Sequence, residues 1–477
     1  MIKKYLAFLS FFIFILILIS PTNALNSKWI SIQPTSKDWI VVNNNNIYLY
    51  NGTLKNITPK YTIYLNKTYT NDEINKRYGY FYYVDGFCLG NETYVVCNAW
   101  DGCHIGKLDI NDKILYLYSK SFGQYYNLKS NNKEILACFD NKEGMGAEPI
   151  LVELKYNRSS NGLIWIGNDF YGLNKRLEMF LIDYLNNHTN YKIDDFFFAP
   201  FSFDYNSKGK YWLIYVNGVY FISNISKENE SKGYIDIGYK NISGFVKYNG
   251  TFHDFKRFEL NNSKLYCLYI PFINRITYDN YTNQWIVLNG KGNCELLFLD
   301  NDLKLVKSIK TDKYILKVYP INRDGIYLIT IKEIVCIDKN GEIEEINVYN
   351  DSINKIYNKL TYGNYNNTYI ILSIQKIDVN NDSISEIKLG NIDPIEISYN
   401  GREMLIIGIN FSNNCSKILY RFNGKGVKKI ADLSQLTSKK ENPPNIQNWN
   451  LNLSKSTSII LFIIVIFICY FLYRRYF

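Results

Sequence analysis

The feature that most constrains this sequence is a unit of four short strands that recurs along the chain. Its clearest copy runs from Arg275 to Lys310, with strands predicted over 276–278, 285–288, 295–299 and 305–309. Each gap contains Asn, Asp or Gly, which are the residues that favour turns. The composition agrees, because 43 Tyr and 28 Phe stand against only 7 Ala. Tyr and Phe favour strands, whereas Ala is the best helix former.

An apolar second strand marks each copy of the unit. The last three intervals between these strands are nearly regular, whereas the two longest leave room for a degenerate unit or an insertion. Asn-Gly turns between apolar strands, a strong hairpin signature, recur at residues 51–52, 249–250, 340–341 and 423–424. The second strands are predicted to begin at Trp39, Tyr94, Ile135, Trp212, Trp285, Ile326, Tyr369 and Met404, with intervals of 55, 41, 77, 73, 41, 43 and 35 residues.

A four-stranded unit repeated every 40–50 residues or so is typical of β-propellers. The plan of this chain resembles that superfamily, particularly exported quinoprotein-like and kelch-like ectodomains, from about Trp29 to Ser434. The chain departs from two family motifs, since kelch Gly-Gly doublets are absent and Trp100-Asp101 does not recur. The resemblance implies an all-β propeller of seven or eight four-stranded blades over residues 25–434. A pair of β-sandwiches, which also contain many short strands, is the alternative.

The N-terminus has the order of a secretory signal peptide. Lys3 and Lys4 precede an apolar run from Tyr5 to Ile19, and small or polar residues surround Ala24. This order predicts a signal peptide over residues 1–24 that is cleaved after export. An uncleaved N-terminal anchor is the alternative.

The C-terminus is predicted to anchor the protein in a membrane. Residues 457–473 form a charge-free apolar run, just long enough to span a bilayer as a helix. Arg474 and Arg475 follow, and basic residues stay on the cytoplasmic side, so 474–477 is predicted to be a cytoplasmic tail. A polar segment over 435–456, with two consecutive prolines, is expected to form a stalk. The alternative for the apolar run is a buried core strand or helix.

The charge of the outer part gives no support for nucleic-acid binding. Without the four basic residues of the two terminal segments, 50 Lys and Arg stand against 44 Asp and Glu. No basic block stands out, so these side chains are interpreted as a solvated surface.

The placement of asparagine independently indicates export. N-x-[ST] triplets, with x not Pro, are acceptors for N-glycosylation in exported proteins. The chain contains 18 of them, where random order of its 61 Asn and 48 Ser and Thr would give about six. The glycosylation candidates are Asn51, Asn56, Asn66, Asn91, Asn157, Asn187, Asn224, Asn229, Asn241, Asn249, Asn261, Asn280, Asn350, Asn366, Asn381, Asn410, Asn414 and Asn452.

Eight of the nine cysteines lie outside the predicted membrane span, where disulfides are the default. Spacing favours Cys88–Cys97 and Cys267–Cys294 as hairpin ties, with Cys103–Cys138 and Cys336–Cys415 joining neighbouring units. A metal site formed by three of these cysteines and a histidine is the alternative, although it lacks the close C-x-x-C pairs of structural zinc sites. Its ligands would be Cys97, Cys103, His104 and Cys138.

One segment breaks the strand pattern. Between Leu173 and Leu185 the apolar residues recur at helical spacing, which predicts an inserted helix. Such a helix either packs against a blade edge or forms a lid over one face of the propeller.

No motif in the sequence carries a recognisable chemistry. There is no nucleophile elbow, H-E-x-x-H, P-loop or dinucleotide fingerprint, so no catalytic, cofactor-binding or metal-ligating residue is predicted. The acidic turns at 300–302 and 378–382 have oxygen ligands that suit calcium, but neither fits an EF-hand loop.

Two functions follow. The first is a membrane-anchored, glycosylated cell-surface protein, single-pass with its ectodomain outside, that binds a protein or a glycan or has a structural role. The second is an ectoenzyme acting on glycans in a central channel. The combination of signal peptide, sequons and C-terminal anchor resembles membrane-anchored surface proteins of archaea, which implies the first.

Overall fold

The computed structural model describes most residues between Ile30 and Leu436. The longest segments left out are 1–29, 118–122, 141–148, 166–171, 225–235, 261–273, 349–364 and 437–477, and the remaining gaps are shorter. The chain divides into two compact units, Met1–Ala431 and Asp432–Phe477.

The first three sheets follow one another along the chain, and we number these blades in sequence order. Blade 1 contains β1 (Ile30–Pro34), β2 (Trp39–Asn43), β3 (Asn46–Tyr50) and β4 (Leu54–Asn56). Blade 2 contains β5 (Tyr61–Tyr64), β6 (Lys67–Thr70), β7 (Tyr82–Leu89), β8 (Glu92–Ala99), β9 (Gly102–Asp109) and β10 (Ile114–Leu117), with helix α1 (Asn71–Tyr78) after β6. Blade 3 contains β11 (Tyr125–Ser130), β12 (Glu134–Asp140), β13 (Pro149–Asn157) and β14 (Gly162–Trp165).

Four further sheets complete the described part of the chain. Helix α2 (Gly172–His188) precedes blade 4, which contains β15 (Lys192–Phe198), β16 (Ser202–Asn206), β17 (Tyr211–Asn224), β18 (Asp236–Tyr248) and β19 (Phe252–Arg257). Blade 5 contains β20 (Ile276–Asp279), β21 (Gln284–Asn289), β22 (Glu295–Leu299) and β23 (Leu305–Lys310). Blade 6 contains β24 (Ile315–Pro320), β25 (Gly325–Asp338), β26 (Ile343–Ile346), β27 (Tyr365–Asp378) and β28 (Ser383–Ile387). Blade 7 contains β29 (Asp393–Tyr399), β30 (Met404–Asn410), β31 (Ser416–Phe422) and β32 (Val427–Asp432).

The blades close into a ring through their inner strands. Contacts run from β1 to β7, β11, β16, β20 and β24 in turn, and β29 contacts both β27 and β1. At the seam between blades 7 and 1, the Lys417 ammonium donates to the Asn43 side-chain oxygen at 3.4 Å. The chain is a seven-bladed β-propeller.

The second strand of each blade is apolar because both of its faces are covered by neighbouring blades. In blade 5, Trp285, Ile286, Val287 and Leu288 are all at most 1% exposed, so side chains on both sides of the strand lie in the core. The sequence predicted the four strands of this blade to within one or two residues at each end, and that prediction is confirmed.

Blades 4 and 6 share an extension of the same design. Their second and third strands are 13 or 14 residues long, roughly twice the length of those in blade 5. In blade 4 the far half of this long hairpin pairs with β15, and in blade 6 the far half of β25 pairs with β26. We call the three-stranded region of blade 4 (β15 with residues 216–224 and 236–244) the blade 4 arm.

The predicted inserted helix is present, and the structure shows what it packs against. Leu173, Leu177, Leu181 and Leu185 of α2 are buried in one cluster with apolar residues of blades 3 and 4. The helix therefore packs between blades and is not a lid.

A polar network joins α2 to the same two blades. Glu153 of β13 is 2% exposed, accepts a hydrogen bond from the Tyr248 hydroxyl and lies 3.0 Å from the Lys155 ammonium. Arg176 of α2 reaches Tyr248 and lies 3.8 Å from Glu153. Nearby, the Trp212 indole of blade 4 donates to the Glu134 carboxylate of blade 3 at 2.8 Å.

Two sequence predictions need correction. Eight blades and a pair of sandwiches are both wrong, because Tyr369 lies in β27, the third strand of blade 6, and the sheets form one ring. Asn340 and Gly341 lie outside the described residues, but the strands on either side of them, β25 and β26, pair antiparallel in an extension of blade 6 and are not its third and fourth strands. The long intervals between second strands contain insertions. The interval from 39 to 94 contains the β5–β6 hairpin and α1, and the interval from 135 to 212 contains α2 and β15. The interval from 212 to 285 contains the long β17–β18 hairpin.

Candidate functional site

Four of the seven inner strands are irregular at one position each. The turns from first to second strand lie at one end of the ring, which we call the lower end. Asp85, Tyr125, Lys317 and Glu396 each border a shift of the pairing register, which lies between residues 83 and 85 of β7, 125 and 127 of β11, 315 and 317 of β24, and 394 and 396 of β29. Such β-bulges re-aim side chains and are over-represented next to functional sites. We call these four residues, which come from four blades, the channel cluster.

Asp85 is the most buried member of the channel cluster, at 6% exposed. One of its carboxylate oxygens accepts from the Ser31 hydroxyl and the Gly86 amide, both at 2.8 Å. The other accepts from the Tyr125 hydroxyl at 2.7 Å and the Gln33 amide at 3.2 Å. Asp85 therefore ties blades 1, 2 and 3 together at their inner strands.

Burial raises the pKa of Asp85, even though its four hydrogen-bond donors favour the charged form. The pKa of Tyr125 is raised well above its usual value, first by burial and then by the charge of Asp85. The Tyr125 phenol therefore resists deprotonation.

Lys317 and Glu396 form the second half of the channel cluster, across blades 6 and 7. The Lys317 ammonium is hydrogen-bonded to the Glu396 carboxylate and lies 3.3 Å from the Ile397 carbonyl oxygen. The Lys317 side chain is 39% exposed, whereas that of Glu396 is 15% exposed. Lys317 is thus the member of the pair that faces solvent.

The two halves of the channel cluster influence each other electrostatically. Burial raises the pKa of Glu396; Lys317 opposes this rise and the Asp85 charge adds to it. Burial lowers the pKa of Lys317, but Glu396, with smaller contributions from Tyr319 and Asp85, reverses this, so its net direction is upward. Two carboxyls with raised pKa values therefore lie near one ammonium on the inner side of the ring.

The sequence did not reveal these four residues. They come from strands separated by up to 311 positions, and none belongs to a motif. The one available sign was a charged residue inside a half-apolar first strand, as in Ile315-Leu316-Lys317-Val318, and a register shift cannot be read from such a segment.

A shallow surface depression of about 650 Å³ lies elsewhere, between β6 and α1. Glu73, the carboxylate in its lining, accepts from the backbone amide of Thr70 at 2.7 Å and from its hydroxyl at 2.9 Å. This is a capping box that stabilises the start of α1, so it explains the carboxylate without a ligand.

None of the cysteines that the structure describes is in a disulfide, and Cys267 lies outside the described residues. In blade 2 the ladder sets Cys88 opposite Thr93 and Cys97 opposite Tyr83, so the predicted hairpin tie does not form. In blade 6, Cys336 faces Thr368, while Cys415 is hydrogen-bonded to the next residue, Tyr369, which points to the opposite face of β27. The pairing of Cys336 with Cys415 is therefore not formed either. The unbridged cysteines are Cys88, Cys97, Cys103, Cys138, Cys294, Cys336 and Cys415.

The asparagines of the predicted sequons are accessible wherever the structure describes their side chains. Six are exposed and two are half-buried. Asn66, Asn91, Asn229, Asn261, Asn350, Asn414 and Asn452 lie outside the described residues, and the side chains of Asn157, Asn224 and Asn366 are not described. The exposed ones are Asn51, Asn187, Asn241, Asn249, Asn280 and Asn381, and the half-buried ones are Asn56 and Asn410.

No group of three or more His, Cys, Asp or Glu in the described part of the chain could hold a metal ion. The two acidic turns are instead closed by their own backbone: Asp300 accepts from the amides of Asp302 and Lys304, and Asp378 from those of Asn380 and Asn381. Within the described segments, no helix has the length and apolar character needed to cross a membrane. The predicted signal peptide (1–24), most of the stalk, the span (457–473) and the tail (474–477) lie outside them.

No protein-family model matches the sequence, and no curated protein matches it. The chain is similar to several solved structures at low sequence identity. The β-propeller domain of the Trilobed protease from Pyrococcus furiosus is 8% identical, with 85% of this chain and 98% of that chain covered and a TM-score of 0.42. A chain of the Mitotic Checkpoint Complex is 9% identical, with 81% and 89% covered and a TM-score of 0.41. Prolyl oligopeptidase B from Galerina marginata is 7% identical, with 86% and 51% covered and a TM-score of 0.39.

Proposed function

We propose that this protein is a membrane-anchored, glycosylated cell-surface protein that binds an extracellular ligand at the channel cluster. The observation that carries the proposal is that a β-bulge borders a polar residue on each of four inner strands. These side chains join neighbouring blades, and β-bulges of this kind are over-represented next to functional sites.

The location is supported by the terminal segments and the sequons. The charge-free run over 457–473 with its two following arginines favours a membrane anchor. None of the eight sequon asparagines with described side chains is buried, as attachment of a glycan requires.

The proposal is tested on the native host by membrane fractionation, protease protection and glycopeptide mapping. We expect the chain to stay in the membrane pellet after carbonate washing, to be digested from outside in intact cells, and to carry glycans at exposed sequons such as Asn51 and Asn249. A carbonate-soluble chain with bare asparagines would contradict it.

An ectoenzyme acting on glycans is the second candidate, and one specific observation favours it. Asp85 and Glu396 both have raised pKa values and lie close enough to influence each other, as pairs of carboxyls do in glycoside hydrolases. Against it, both oxygens of Asp85 are already occupied by donors. Hydrolysis of chromogenic glycosides by the wild type that is lost in Glu396→Gln would establish this second function.

A further inference from the structure

Blade 7 has a basic surface at the lower end of the ring. Arg402 lies in the turn from β29 to β30, Lys425 in the turn from β31 to β32, and Lys428 and Lys429 on β32, the outermost strand. The strands of the blade are successive neighbours in one sheet, so the first-to-second and third-to-fourth turns lie at the same end. All four side chains are exposed. We call these four residues the blade 7 patch.

Both turns are built in the same way around an Asn-Gly pair. The Asn400 side-chain oxygen accepts hydrogen bonds from the backbone amides of Arg402 and the residue after it, at 3.0 and 3.1 Å. The Asn423 oxygen accepts from the amides of Lys425 and the residue after it, at 3.1 and 3.2 Å. Side-chain bonds of this kind close a turn locally, so the backbone that carries Arg402 and Lys425 is held in place.

The charges of the blade 7 patch are not neutralised by the described part of the chain. None of its four side chains makes an ion pair with a described carboxylate, and Glu403, next to Arg402 in sequence, is bonded to Arg421 instead. In the outer hairpin of blade 4, by contrast, Lys247 lies 3.3 Å from the Asp254 carboxylate. The patch therefore presents four positive charges to the solvent.

The predicted sequons avoid the blade 7 patch. Both of its turns begin with Asn-Gly, but Arg402 and Lys425 stand where an acceptor triplet needs Ser or Thr. The two sequons of blade 7, at Asn410 and Asn414, belong to the connection from β30 to β31, at the opposite end. In the other six blades a lower-end connection contains or adjoins a sequon, at Asn51, Asn91, Asn157, Asn249, Asn280 and Asn381. A large molecule can therefore approach the patch without displacing a glycan of blade 7.

The side chains around the patch favour one class of partner. Among the described residues of blade 7, no large apolar side chain is exposed. Protein interfaces draw most of their binding energy from a few well-packed anchors, often aromatic, and single-stranded nucleic acids are held by aromatic stacking. Clusters of Lys and Arg without such anchors suit sulfated or carboxylated polysaccharides of the heparin type. An acidic polysaccharide is therefore the partner that matches this surface.

We propose that the blade 7 patch binds an acidic polysaccharide through its carboxylate or sulfate groups. Arg402 and the three lysines donate charge-assisted hydrogen bonds to these anions. The patch is a second site, because it lies on the turns and the outermost strand, whereas the channel cluster lies on the inner strands. Binding at the patch is thus additional to the ligand proposed for the channel cluster.

The test is fluorescence anisotropy with the full-length chain, purified in a neutral detergent, and a dye-labelled heparin dodecasaccharide. Oligogalacturonate of the same length is a carboxylate competitor, and neutral dextran is the uncharged control. We expect both acidic oligosaccharides to bind and dextran not to compete. Raising the salt concentration from about 0.05 to about 0.5 M should weaken binding at least tenfold, because exposed charges are screened.

Charge reversals locate the site. The double variant Lys428→Glu/Lys429→Glu should weaken heparin binding about tenfold, since two attractions become repulsions. Lys425→Glu, in the turn, should weaken it by a smaller factor. The matched control is Lys208→Glu/Lys210→Glu, because these two exposed lysines lie in the turn from β16 to β17 of blade 4, also at the lower end. It changes the net charge equally and should leave the affinity nearly unchanged.

Three outcomes would overturn the proposal. The first is no binding of either acidic oligosaccharide at millimolar concentration in low salt. The second is an equal loss of affinity in the blade 4 control, which would show that only net charge matters. The third is tighter binding of a polyglutamate peptide or a DNA duplex of equal charge, which would make the partner a protein or a nucleic acid. None of these results bears on membrane anchoring or on the channel cluster.

Discussion

Blades 4 and 5 are neighbours that begin their second strands in the same way and differ in almost everything around them. Trp212 and Trp285 are both fully buried at equivalent positions. Blade 5 adds nothing to its four strands, whereas blade 4 carries the arm and packs against α2. In blade 5 the Trp285 indole nitrogen is buried with no hydrogen-bond partner in the described part of the chain, while that of Trp212 donates to Glu134 of blade 3. The indole of the elaborated blade is therefore tied to the next blade by a hydrogen bond, whereas the indole of the plain blade is held by packing, although both blades have other polar contacts with their neighbours.

The largest effect should come from removing the packing that blade 5 depends on. Trp285→Ala leaves a cavity in the core between blades 4 and 5 and should lower the free energy of unfolding by about 3–5 kcal/mol. Urea denaturation monitored by circular dichroism measures this loss. Val306→Ala, at a 55% exposed position of the same blade, should change it by less than about 0.5 kcal/mol. Equal losses in the two variants would refute the dependence on packing.

Replacing each tryptophan by phenylalanine separates the contribution of packing to stability from that of the indole hydrogen bond. Trp285→Phe loses volume but no hydrogen bond, whereas Trp212→Phe also leaves the Glu134 carboxylate without one donor. We expect the second variant to be less stable by about 1.5 kcal/mol, the typical worth of a hydrogen bond to a charged group. Denaturation of both variants under one condition gives this difference. If Trp285→Phe cost as much or more, the difference between the blades would not lie in the indole hydrogen bond.

A substitution at Gly218 should perturb the blade 4 arm without perturbing the rest of blade 4. A Cβ added at Gly218 would lie 2.3 Å from the backbone oxygen of Phe197, so β15 and β17 could not keep their spacing. Gly218→Ala should destabilise the arm by about 1–3 kcal/mol. Hydrogen exchange should accelerate over 192–198 and 216–224 and stay unchanged in blade 5. Gly426→Ala, where an added Cβ meets nothing within 4 Å, is the control. Uniform acceleration over both blades would show that arm and blade unfold together.

The inner strands also differ, since β20 of blade 5 has a regular register, whereas the register of β7 in blade 2 shifts between Tyr83 and Asp85. Burial raises the pKa of Asp85 in the folded protein. The associated stability is fully present below the pKa of the unfolded chain and is lost as pH rises through the folded pKa. Relative to Asp85→Asn, the wild type should therefore become more stable as pH falls from about 7 to about 4, by about 1.4 kcal/mol for each unit of pKa elevation. A difference that shrinks on acidification would show that burial does not dominate.

Blades 5 and 6 show why one blade was predicted better than another. Every strand and turn of blade 5 is encoded within 35 consecutive residues by Trp285-Ile286-Val287-Leu288 and the flanking Asn, Asp and Gly positions. In blade 6 the strand that contains Tyr369 has an apolar run of the same kind, but it is the third strand. Strand length and pairing partner distinguish the two cases, and both depend on residues far along the chain.

The channel cluster could not be predicted from the sequence for a related reason. Asp85 is buried and hydrogen-bonded only because Ser31, Gln33 and Tyr125 of two other blades lie next to it. The cysteines show the converse: an even number at suggestive spacing predicted bridges, but the register of β7 with β8 sets Cys88 and Cys97 opposite other residues.

The sequence by itself determined the repeated four-strand plan, the inserted helix and the excess of acceptor asparagines. These follow from local turn chemistry, apolar periodicity and short triplets, each contained within a few consecutive residues. Only the tertiary structure decided that there are seven blades, that α2 packs between two of them, and that Asp85 meets Tyr125 and Lys317 meets Glu396 across blades. Closing a ring brings residues hundreds of positions apart to one axis, and the bulges that aim them depend on pairing between strands.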